Sequence, residues 1–335
     1  AGTYMGIEKV RWAILGTGKI AGVLAKAMKP SGEAVLYAVG SRSKQKAETF
    51  AHTLGIPKAY GSYQEVLDDP GVQVIYNSLP NHLHCEWTLK AAQAGKHILC
   101  EKPLACTVEE CRRMIVMAEA NNVLLMEAFM YRFHPQMRQV KELVESGAIG
   151  ELRMIRSALS FGLYDLDNVR LKKALCGGAM MDVGSYCVNF SRYIAGVEPE
   201  ELFAFAHFGS ESEVDETVAG SLRFSRDLMA QFDCGFQTTW RSFAEVVGTE
   251  GKIDIPALWH PGGHPGKLVV VRGEDTKHVE TKGADCYLLE VDHLSTCVRE
   301  GKSPMLPPED GLKNMRVIQA ILRSAREHRP ISPGV

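Results

Sequence analysis

The stretch VRWAILGTGKIA (Val10–Ala21) decides the fold of this chain. Its first six residues form a short apolar run that is typical of a buried strand, and the glycines that follow indicate a tight turn. After the turn, apolar residues recur at the spacing of one helix face: Ile20, Val23, Leu24, Ala27 and Met28. The stretch therefore predicts a strand, a glycine-rich turn and a helix in direct succession.

The same alternation continues to about residue 128. The strand-like runs are AVLYAV (34–39), VQVIYNSL (72–79), HILCE (97–101) and VLLMEA (123–128). The helical patterns are SKQKAETFAHTLG (43–55), NHLHCEWTLKAAQAG (81–95) and TVEECRRMIVMAEANN (107–122). Apolar strands that alternate with helices indicate a parallel sheet covered on both faces. We predict an α/β, doubly wound Rossmann domain over residues 8–130, with its ligand at the carboxyl ends of the strands.

The chain beyond residue 131 has a different pattern. It contains longer segments rich in β-forming residues: ELRMIRSALSF, LFAFAHFG, ETVAGSLRF, DLMAQFDCGF and KLVVVRG. Several alternate apolar with polar residues, as strands of an antiparallel sheet do, and helices are predicted near residues 136–146, 178–194, 285–299 and 308–327. We predict an α+β substrate-binding domain over residues 131–335 with a mostly antiparallel open sheet.

This predicted sheet carries more apolar surface than its few helices can cover. Exposed patches of that size usually mark interfaces. We therefore expect a homodimer or a homotetramer that assembles through one face of the sheet.

Composition excludes several partners and sites. The 38 basic and 40 acidic residues give a net charge of −2, so no general field attracts nucleic acid or a membrane surface. No apolar run is long enough to span a bilayer, and no signal segment is evident. The nine cysteines are scattered without a Cys-x-x-Cys pair, so we expect neither a disulfide framework nor a metal site, and a cytoplasmic location.

The first glycine-rich turn matches the dinucleotide-binding fingerprint, with alanine in its third small position. Gly16 permits the tight turn, Gly18 lets the backbone approach a pyrophosphate, and Ala21 allows close packing of the helix. Its position between the first strand and first helix of a repeating series favours a cofactor site over a merely structural turn. The residues that we assign to the cofactor in this loop are Gly16, Thr17, Gly18, Lys19 and Ile20.

The end of the second predicted strand bears on the choice between NAD and NADP. An acidic residue there would bind the ribose 2′-hydroxyl of NAD. This chain has Ser41 and Arg42 instead, and the next acid is Glu48. Because a guanidinium can clamp a 2′-phosphate with charge-assisted hydrogen bonds, we expect NADP(H) rather than NAD(H).

Two further motifs indicate acid–base chemistry. In HILCEKPLAC (97–106), an apolar strand ends at Lys102, and the following proline fixes the backbone so that the lysine points at a ligand. In GGAMMDVGSYCVN (177–189), Asp182 and Tyr186 are four residues apart and share a helix face. Spacing alone leaves a structural Asp–Tyr pair as an equal alternative. A nearby ammonium, however, would stabilise a phenolate and let tyrosine accept a hydroxyl proton.

In combination, the motifs GTGKIA, LPNHLH, CEKPL, MEAFMYRFHP and GGAMMDVGSYCVN resemble the family of glucose-fructose oxidoreductase, inositol dehydrogenase and the rhizopine-catabolism oxidoreductases. The resemblance extends from Val10 to about Arg329. It is strongest to the branch with D-xylose dehydrogenase and dimeric dihydrodiol dehydrogenase, which carries tyrosine in the D-x-G-x-Y motif.

The resemblance implies roles for individual residues. Lys102 and Tyr186 would be the catalytic pair, with Asp182 orienting them. Residues implied to line an NADP(H) cofactor are Leu79, Asn81, His84, Glu101 and Lys102. Residues implied to lie near the substrate are Arg132, Phe133, Asn168, Arg170 and Tyr186.

These expectations favour an NADP-dependent oxidoreductase that acts on a CH–OH group of a sugar or cyclic polyol, with aldose oxidation to the lactone as the leading reaction. The small-molecule substrate would be a carbohydrate. A reductase of keto or anhydro sugars is an alternative. A second alternative is an NADP-binding redox sensor without turnover, because a Rossmann fold does not itself imply catalysis.

Overall fold

The computed structural model describes residues 8–334, which form two compact units. One unit contains the chain up to Leu104 together with Glu109–Met130 and Tyr287–Gly311. The other contains Ala105–Val108, Tyr131–Cys286 and the chain from Leu312 onward. The main division after Met130 falls where the sequence pattern changes. The segment Tyr287–Gly311, which the sequence analysis placed in the second domain, belongs instead with the first unit.

A six-stranded parallel sheet is the centre of the first unit. Its strands are β1 (Val10–Leu15), β2 (Ala34–Gly40), β3 (Lys58–Tyr60), β4 (Val74–Asn77), β5 (His97–Glu101) and β6 (Leu125–Ala128). They lie in the order β3-β2-β1-β4-β5-β6, so the order reverses between β1 and β4. This is the doubly wound order in which a ligand binds beyond the carboxyl ends of the strands at the reversal. The predicted Rossmann fold is confirmed.

Helices connect these strands. They are α1 (Lys19–Ala27), α2 (Lys44–Leu54), α3 (Tyr63–Asp68), α4 (His84–Gln93) and α5 (Val108–Ala120). Helix α2 begins after Ser43, whose side chain accepts a hydrogen bond from the Lys46 amide, and it ends at Gly55 in the left-handed conformation. Strand β3 and helix α3 were not predicted, because three and six residues are too few to show a periodicity.

The second unit is built on an eight-stranded sheet. Its elements begin with α6 (Pro135–Glu145), β7 (Leu152–Gly162) and α7 (Ser185–Ala195). Seven more strands follow: β8 (Glu201–Phe208), β9 (Asp215–Arg223), β10 (Met229–Gly235), β11 (Gln237–Gly248), β12 (Lys252–Ile255), β13 (Lys267–Arg272) and β14 (Asp275–Glu280). The order is β14-β13-β12-β11-β7-β10-β9-β8, antiparallel except for the parallel pair β7 and β10. The predicted mostly antiparallel sheet is confirmed, although β11, β12 and β14 were not recognised in the sequence.

Two long helices complete the chain, α8 (Cys286–Glu300) and α9 (Pro308–Glu327). Polar contacts explain why α8 belongs to the first unit. The Ser295 hydroxyl on α8 accepts a hydrogen bond from the buried Trp12 indole of β1 at 2.8 Å. Asp292 on the same helix accepts one from Ser31 at 2.5 Å. No helix among residues 8–334 combines the length and the apolar character needed to cross a bilayer.

The two faces of the eight-stranded sheet differ. Alternate residues on one face are buried, among them Ala204, Val218, Cys234, Ile155 and Ala244. Their neighbours along the same strands form the other face, which we call the open face and define by Phe205, Ala219, Asp233, Ala158 and Phe243. Phe205 on this face is 64% exposed. This side of the sheet therefore exposes a large aromatic ring, Phe205, to solvent.

One expectation about the cysteines is wrong. Cys106 and Cys176 form a disulfide, with their Cα atoms 6.0 Å apart, although 70 residues separate them in sequence. The other seven cysteines are buried thiols. Sequence spacing could not reveal this pair, because only the fold brings the two segments together. Since disulfides persist mainly in oxidising compartments, the cysteines no longer support a reducing, cytoplasmic location.

Candidate active site

The glycine-rich turn lies at the reversal of strand order in the first unit. Gly16 has a φ of +97°, and its amide donates a hydrogen bond to the Gly40 carbonyl at 2.8 Å. A Cβ atom at Gly16 would lie 3.3 Å from both Leu79 and Ser78. The turn therefore requires glycine for its backbone conformation and has little room for a larger side chain.

The second glycine leaves space for a ligand. Gly18 is the N-cap of α1 without any side-chain cap, and no heavy atom lies within 4 Å of where its Cβ would be. The first turn of α1 contains no acidic residue, so the positive end of the helix dipole is not compensated there. In the turn that follows β4 in the same unit, His82 Nδ1 is a buried nitrogen without a hydrogen-bond partner among the described residues. These features fit the pyrophosphate of a dinucleotide.

The end of β2 presents the residues predicted to select the cofactor. The Ser41 amide donates to the Tyr60 carbonyl at 3.1 Å, and the Ser41 hydroxyl accepts from the Ser43 amide at 3.3 Å. Arg42 is exposed and hydrogen-bonds to Tyr63. Burial raises the pKa of the Tyr63 hydroxyl, while the charge of Arg42 opposes that shift. The structure thus holds a guanidinium at the predicted position, with its cofactor contact still a prediction.

Lys102 follows the last residue of β5, and its environment is polar. The Glu101 carboxylate accepts hydrogen bonds from the Tyr76 hydroxyl at 2.5 Å and from the Lys102 amide at 3.2 Å. The Lys102–Pro103 peptide bond is cis. One residue later, the Leu104 amide donates to Glu127 at 2.6 Å. Backbone contacts on both sides therefore fix the turn that carries Lys102.

His84 connects this turn to the one that follows β4. Its Nδ1 lies 2.8 Å from the Pro103 carbonyl oxygen, and its Nε2 lies 2.7 Å from that of Leu79. Burial lowers the pKa of His84 to about 4, so the ring is neutral near pH 7 and donates to one of the two oxygens. His84 was predicted to line the cofactor. In the structure, His84 contacts backbone oxygens of both turns and so links the turn that holds Leu79 to the turn that holds Lys102.

Asp182 and Tyr186 lie in the second unit, at the start of the helix that covers β7. Asp182 is part of a π-helical turn, Met180–Gly184, and Tyr186 is the second residue of α7. Such turns occur frequently at functional sites. The Asp182 carboxylate accepts a hydrogen bond from the Arg170 guanidinium at 2.7 Å. Asp182 was predicted to orient the catalytic pair and Arg170 to lie near the substrate, and the structure brings these two residues into contact.

Aromatic rings surround Tyr186. It is 5% exposed, and its ring centroid lies 5.7 Å from Tyr131, 5.6 Å from Trp259 and 6.0 Å from His260. The Tyr131 hydroxyl donates to Asn189 at 2.5 Å. The phenol ring is therefore held in a fixed orientation by rings on several sides.

The remaining predicted substrate residues also lie in the second unit. The Arg132 guanidinium stacks on the Tyr193 ring at 3.7 Å and donates to Asn189 at 3.3 Å. Phe133, the next residue, is half-buried. Asn168 accepts a hydrogen bond from the Arg170 amide at 3.0 Å and so shapes the loop that delivers Arg170. Their contacts with a substrate remain predictions.

A buried acid that the sequence did not indicate anchors the π-helical turn that holds Asp182. Asp215, the first residue of β9, is 3% exposed and accepts a hydrogen bond from the Met180 amide at 2.6 Å. Gly178 has a φ of +118°, and a Cβ there would lie 2.3 Å from the Asp215 carboxylate. The chain can approach this buried acid only because residue 178 is glycine. No local sequence signal distinguishes Asp215 from any other acid at the start of a strand.

The chain is similar to known proteins over both of its units. Residues 10–129 match the model of the oxidoreductase family with an NAD-binding Rossmann fold, and residues 137–254 match the GFO/IDH/MocA C-terminal domain. Mouse trans-1,2-dihydrobenzene-1,2-diol dehydrogenase is 34% identical over 95% of this chain and 96% of its own length. D-xylose 1-dehydrogenase (NADP(+)) 2 of Haloferax volcanii is 34% identical over 94% of this chain and 97% of its own.

A solved structure is similar over nearly the whole chain. Aldose-aldose oxidoreductase from Caulobacter crescentus, complexed with glycerol, superposes with a TM-score of 0.91 at 31% identity. The match covers 97% of this chain and 100% of that one. The similarity therefore includes both units and not the Rossmann domain alone.

Proposed function

The chain belongs to the GFO/IDH/MocA oxidoreductase family, and from this premise we propose that it is an NADP-dependent dehydrogenase of a sugar or related cyclic polyol. The favoured reaction is oxidation of an aldose at its anomeric carbon to the lactone. The observation that carries the proposal is the placement of Asp182 on a π-helical turn that the buried Asp215 anchors, directly before the helix that holds Tyr186. Relatives named for D-xylose, diol and aldose substrates support the substrate class.

The cofactor would be held by residues of the first unit. Gly16 and Gly18 provide the close backbone approach, and the α1 N-terminus favours the pyrophosphate charge. Arg42 would pair with a 2′-phosphate, which makes NADP the preferred form. The NADP(+) in the name of the H. volcanii relative supports this preference. When bound, the nicotinamide supplies the hydride acceptor for oxidation and the donor for reduction.

Proton transfer is assigned to Tyr186. In the oxidising direction, the Tyr186 phenolate, which the charge of the Lys102 ammonium stabilises, accepts the proton of the substrate carbinol and becomes the neutral phenol. The same charge stabilises the developing alkoxide. Asp182, whose carboxylate is fixed by Arg170, orients the pair. The ring contacts around Tyr186 hold the phenol in one orientation, so little reorganisation is needed as the proton moves.

The test is a panel of aldoses, polyols and keto sugars assayed with NADP(H) and with NAD(H), following reduced nicotinamide by absorbance. The proposal predicts turnover of at least one aldose, with a higher kcat/KM for NADP than for NAD. If only keto or anhydro sugars were turned over, the protein would be a reductase of those sugars and not an aldose dehydrogenase. Tight NADP binding without turnover of any sugar would indicate a sensor instead.

We also propose that two copies of this chain associate through the open face. Phe203 and Phe205 contact each other on β8 with ring centroids 4.9 Å apart, and Phe205 remains largely exposed. Polar partners on the same face, including the Asp233–Arg241 ion pair, match the mixed character of subunit interfaces. Sedimentation should show a dimer or tetramer at micromolar concentration, and Phe205→Asp should shift it toward the monomer. A monomeric unmodified chain would contradict this proposal.

A further inference from the structure

We propose that Trp240 and His260 form a platform for a second ring of the substrate, beyond the sugar ring that carries the reacting carbinol. The inference rests on the proposed function and specifies its substrate class further. Such a substrate is a sugar with a glycosyl or aryl substituent on a hydroxyl away from the anomeric carbon. The shared chemistry of the two substituents is a six-membered ring with an apolar face.

Three rings lie in sequence from the proposed catalytic phenol toward solvent. The Tyr186 and His260 centroids are 6.0 Å apart, and those of His260 and Trp240 are 6.1 Å apart. Both pairs are tilted by 55°. Tyr186 is 5% exposed, whereas Trp240 is 58% exposed. A substrate whose carbinol reaches Tyr186 can therefore extend along His260 to an accessible indole.

Ring contacts place Trp240 on the same side of the sheet as Tyr186. On β11, Ser242 pairs with Leu159 and Ala244 pairs with Ser157 on the buried face, which α7 covers. The pairing of β11 with β7 is irregular between Gln237 and Arg241, so the placement of Trp240 rests on its ring contact with His260, whose ring in turn contacts Tyr186 on α7. Arg241 points the other way and pairs with Asp233 on the open face. Self-association through the open face therefore does not account for the exposure of Trp240.

The chemistry of an indole suits a second ring. Tryptophan is highly buried on average, so a largely exposed indole in contact with a ring that touches the catalytic phenol suggests a ligand surface. The negative face of its π system attracts the weakly positive C–H edges of a sugar and also stacks on an aryl ring. His260 is exposed in a loop between β12 and β13, and can contact the same substituent.

The test compares three compounds that share one glucose ring: D-glucose, cellobiose and 4-O-benzyl-D-glucose. The kcat/KM ratio of each two-ring compound to D-glucose is measured for the unmodified protein, Trp240→Ala and Trp240→Phe. We expect Trp240→Ala to lower at least one ratio by about 3- to 10-fold, the range for one aromatic ring contact, mainly through KM. Trp240→Phe should restore part of the loss. A lower ratio for cellobiose identifies a glycosyl substituent, and a lower ratio for 4-O-benzyl-D-glucose identifies an aryl substituent.

Phe205→Ala is the matched control, because it removes a ring of similar exposure from the opposite face and should leave both ratios unchanged. Calorimetric titration of the same compounds into the NADP-loaded protein gives a readout that does not need turnover. Absent turnover of every sugar would thus refute the proposed function, while a Trp240-dependent preference in binding would still support the platform. Two results would overturn the proposed platform. One is an equal effect of Trp240→Ala on all three compounds, and the other is that neither two-ring compound binds the unmodified protein more tightly than D-glucose does.

Discussion

Replacing Asp215 by asparagine should change how the stability of the protein depends on pH. Burial raises the pKa of this carboxyl from 3.8 to about 6, against the opposing effect of hydrogen bonds from the backbone amides of Met180 and Ala179. Because the folded pKa lies above the unfolded one, the unfolded chain loses this proton at lower pH. The stabilising contribution is therefore complete below pH 3.8 and is lost as the pH rises through 6.

The magnitude follows from the two pKa values. A difference of roughly two units corresponds to about 3 kcal/mol over the whole range. Integrated between pH 5 and pH 7.5, the loss in the free energy of unfolding is about 1.4 kcal/mol. The asparagine variant keeps an acceptor for the Met180 amide but does not titrate, so it should not show this loss.

Urea denaturation at both pH values measures the effect. The unmodified protein, relative to Asp215→Asn, should lose about 1.4 kcal/mol between pH 5 and pH 7.5. The contributions of other groups to the pH dependence, including that of His84, are common to both proteins and cancel. The assignment of a raised pKa to Asp215 would be refuted if the difference in unfolding free energy between the two proteins did not depend on pH or changed in the opposite direction. The hydrogen bonds from the amides would then offset or outweigh the effect of burial on the Asp215 pKa. Asp215→Ala, which leaves the Met180 amide without its acceptor, should be less stable than Asp215→Asn by about 1–3 kcal/mol.

Two other predictions concern the cofactor and the disulfide. Arg42→Ala should weaken NADP binding by about 1.5–3 kcal/mol in calorimetric titration while NAD binding changes little, because a charged hydrogen bond is lost; Lys46→Ala is the control, and preference of the unmodified protein for NAD would contradict the assignment. Reduction of Cys106–Cys176, whose residues are 70 apart, should lower the free energy of unfolding by up to about 4 kcal/mol through loop-closure entropy. A Cys106→Ser, Cys176→Ser double variant should show that loss without reductant and no further response to it; equal stability of the oxidised and reduced protein would count against the disulfide.

The Rossmann half could be predicted from the sequence because its signals are local. Buried parallel strands are continuous apolar runs, and Ser43 and Gly55 mark the ends of α2 by their own chemistry. The same logic failed for β3 and α3, which are too short to show a period. It also misplaced α8, since membership of a unit depends on contacts such as Trp12 with Ser295, 283 residues apart.

Only the site residues that lie in recognisable sequence motifs could be predicted. Lys102, Asp182 and Tyr186 lie in recognisable stretches, and the structure places each at the end of a strand or the start of a helix, as expected. Asp215 and the Cys106–Cys176 disulfide were missed because their significance depends on a partner distant in sequence. The Arg170–Asp182 ion pair was missed for the same reason: each residue was assigned a role, but spacing gave no indication of their contact.

The most direct test of the central claim is a double-mutant cycle on Lys102 and Tyr186, measured as kcat with an active sugar. Lys102→Met and Tyr186→Phe should each lower kcat by about 10²–10⁴-fold, as expected for a lost acid–base group, while NADP(H) still binds. The double variant should lose far less than the product of the two single losses, because groups that act as one unit are not additive. Near-normal kcat in either single variant, or fully multiplicative losses in the double variant, would contradict the assignment of Lys102 and Tyr186 as a catalytic pair.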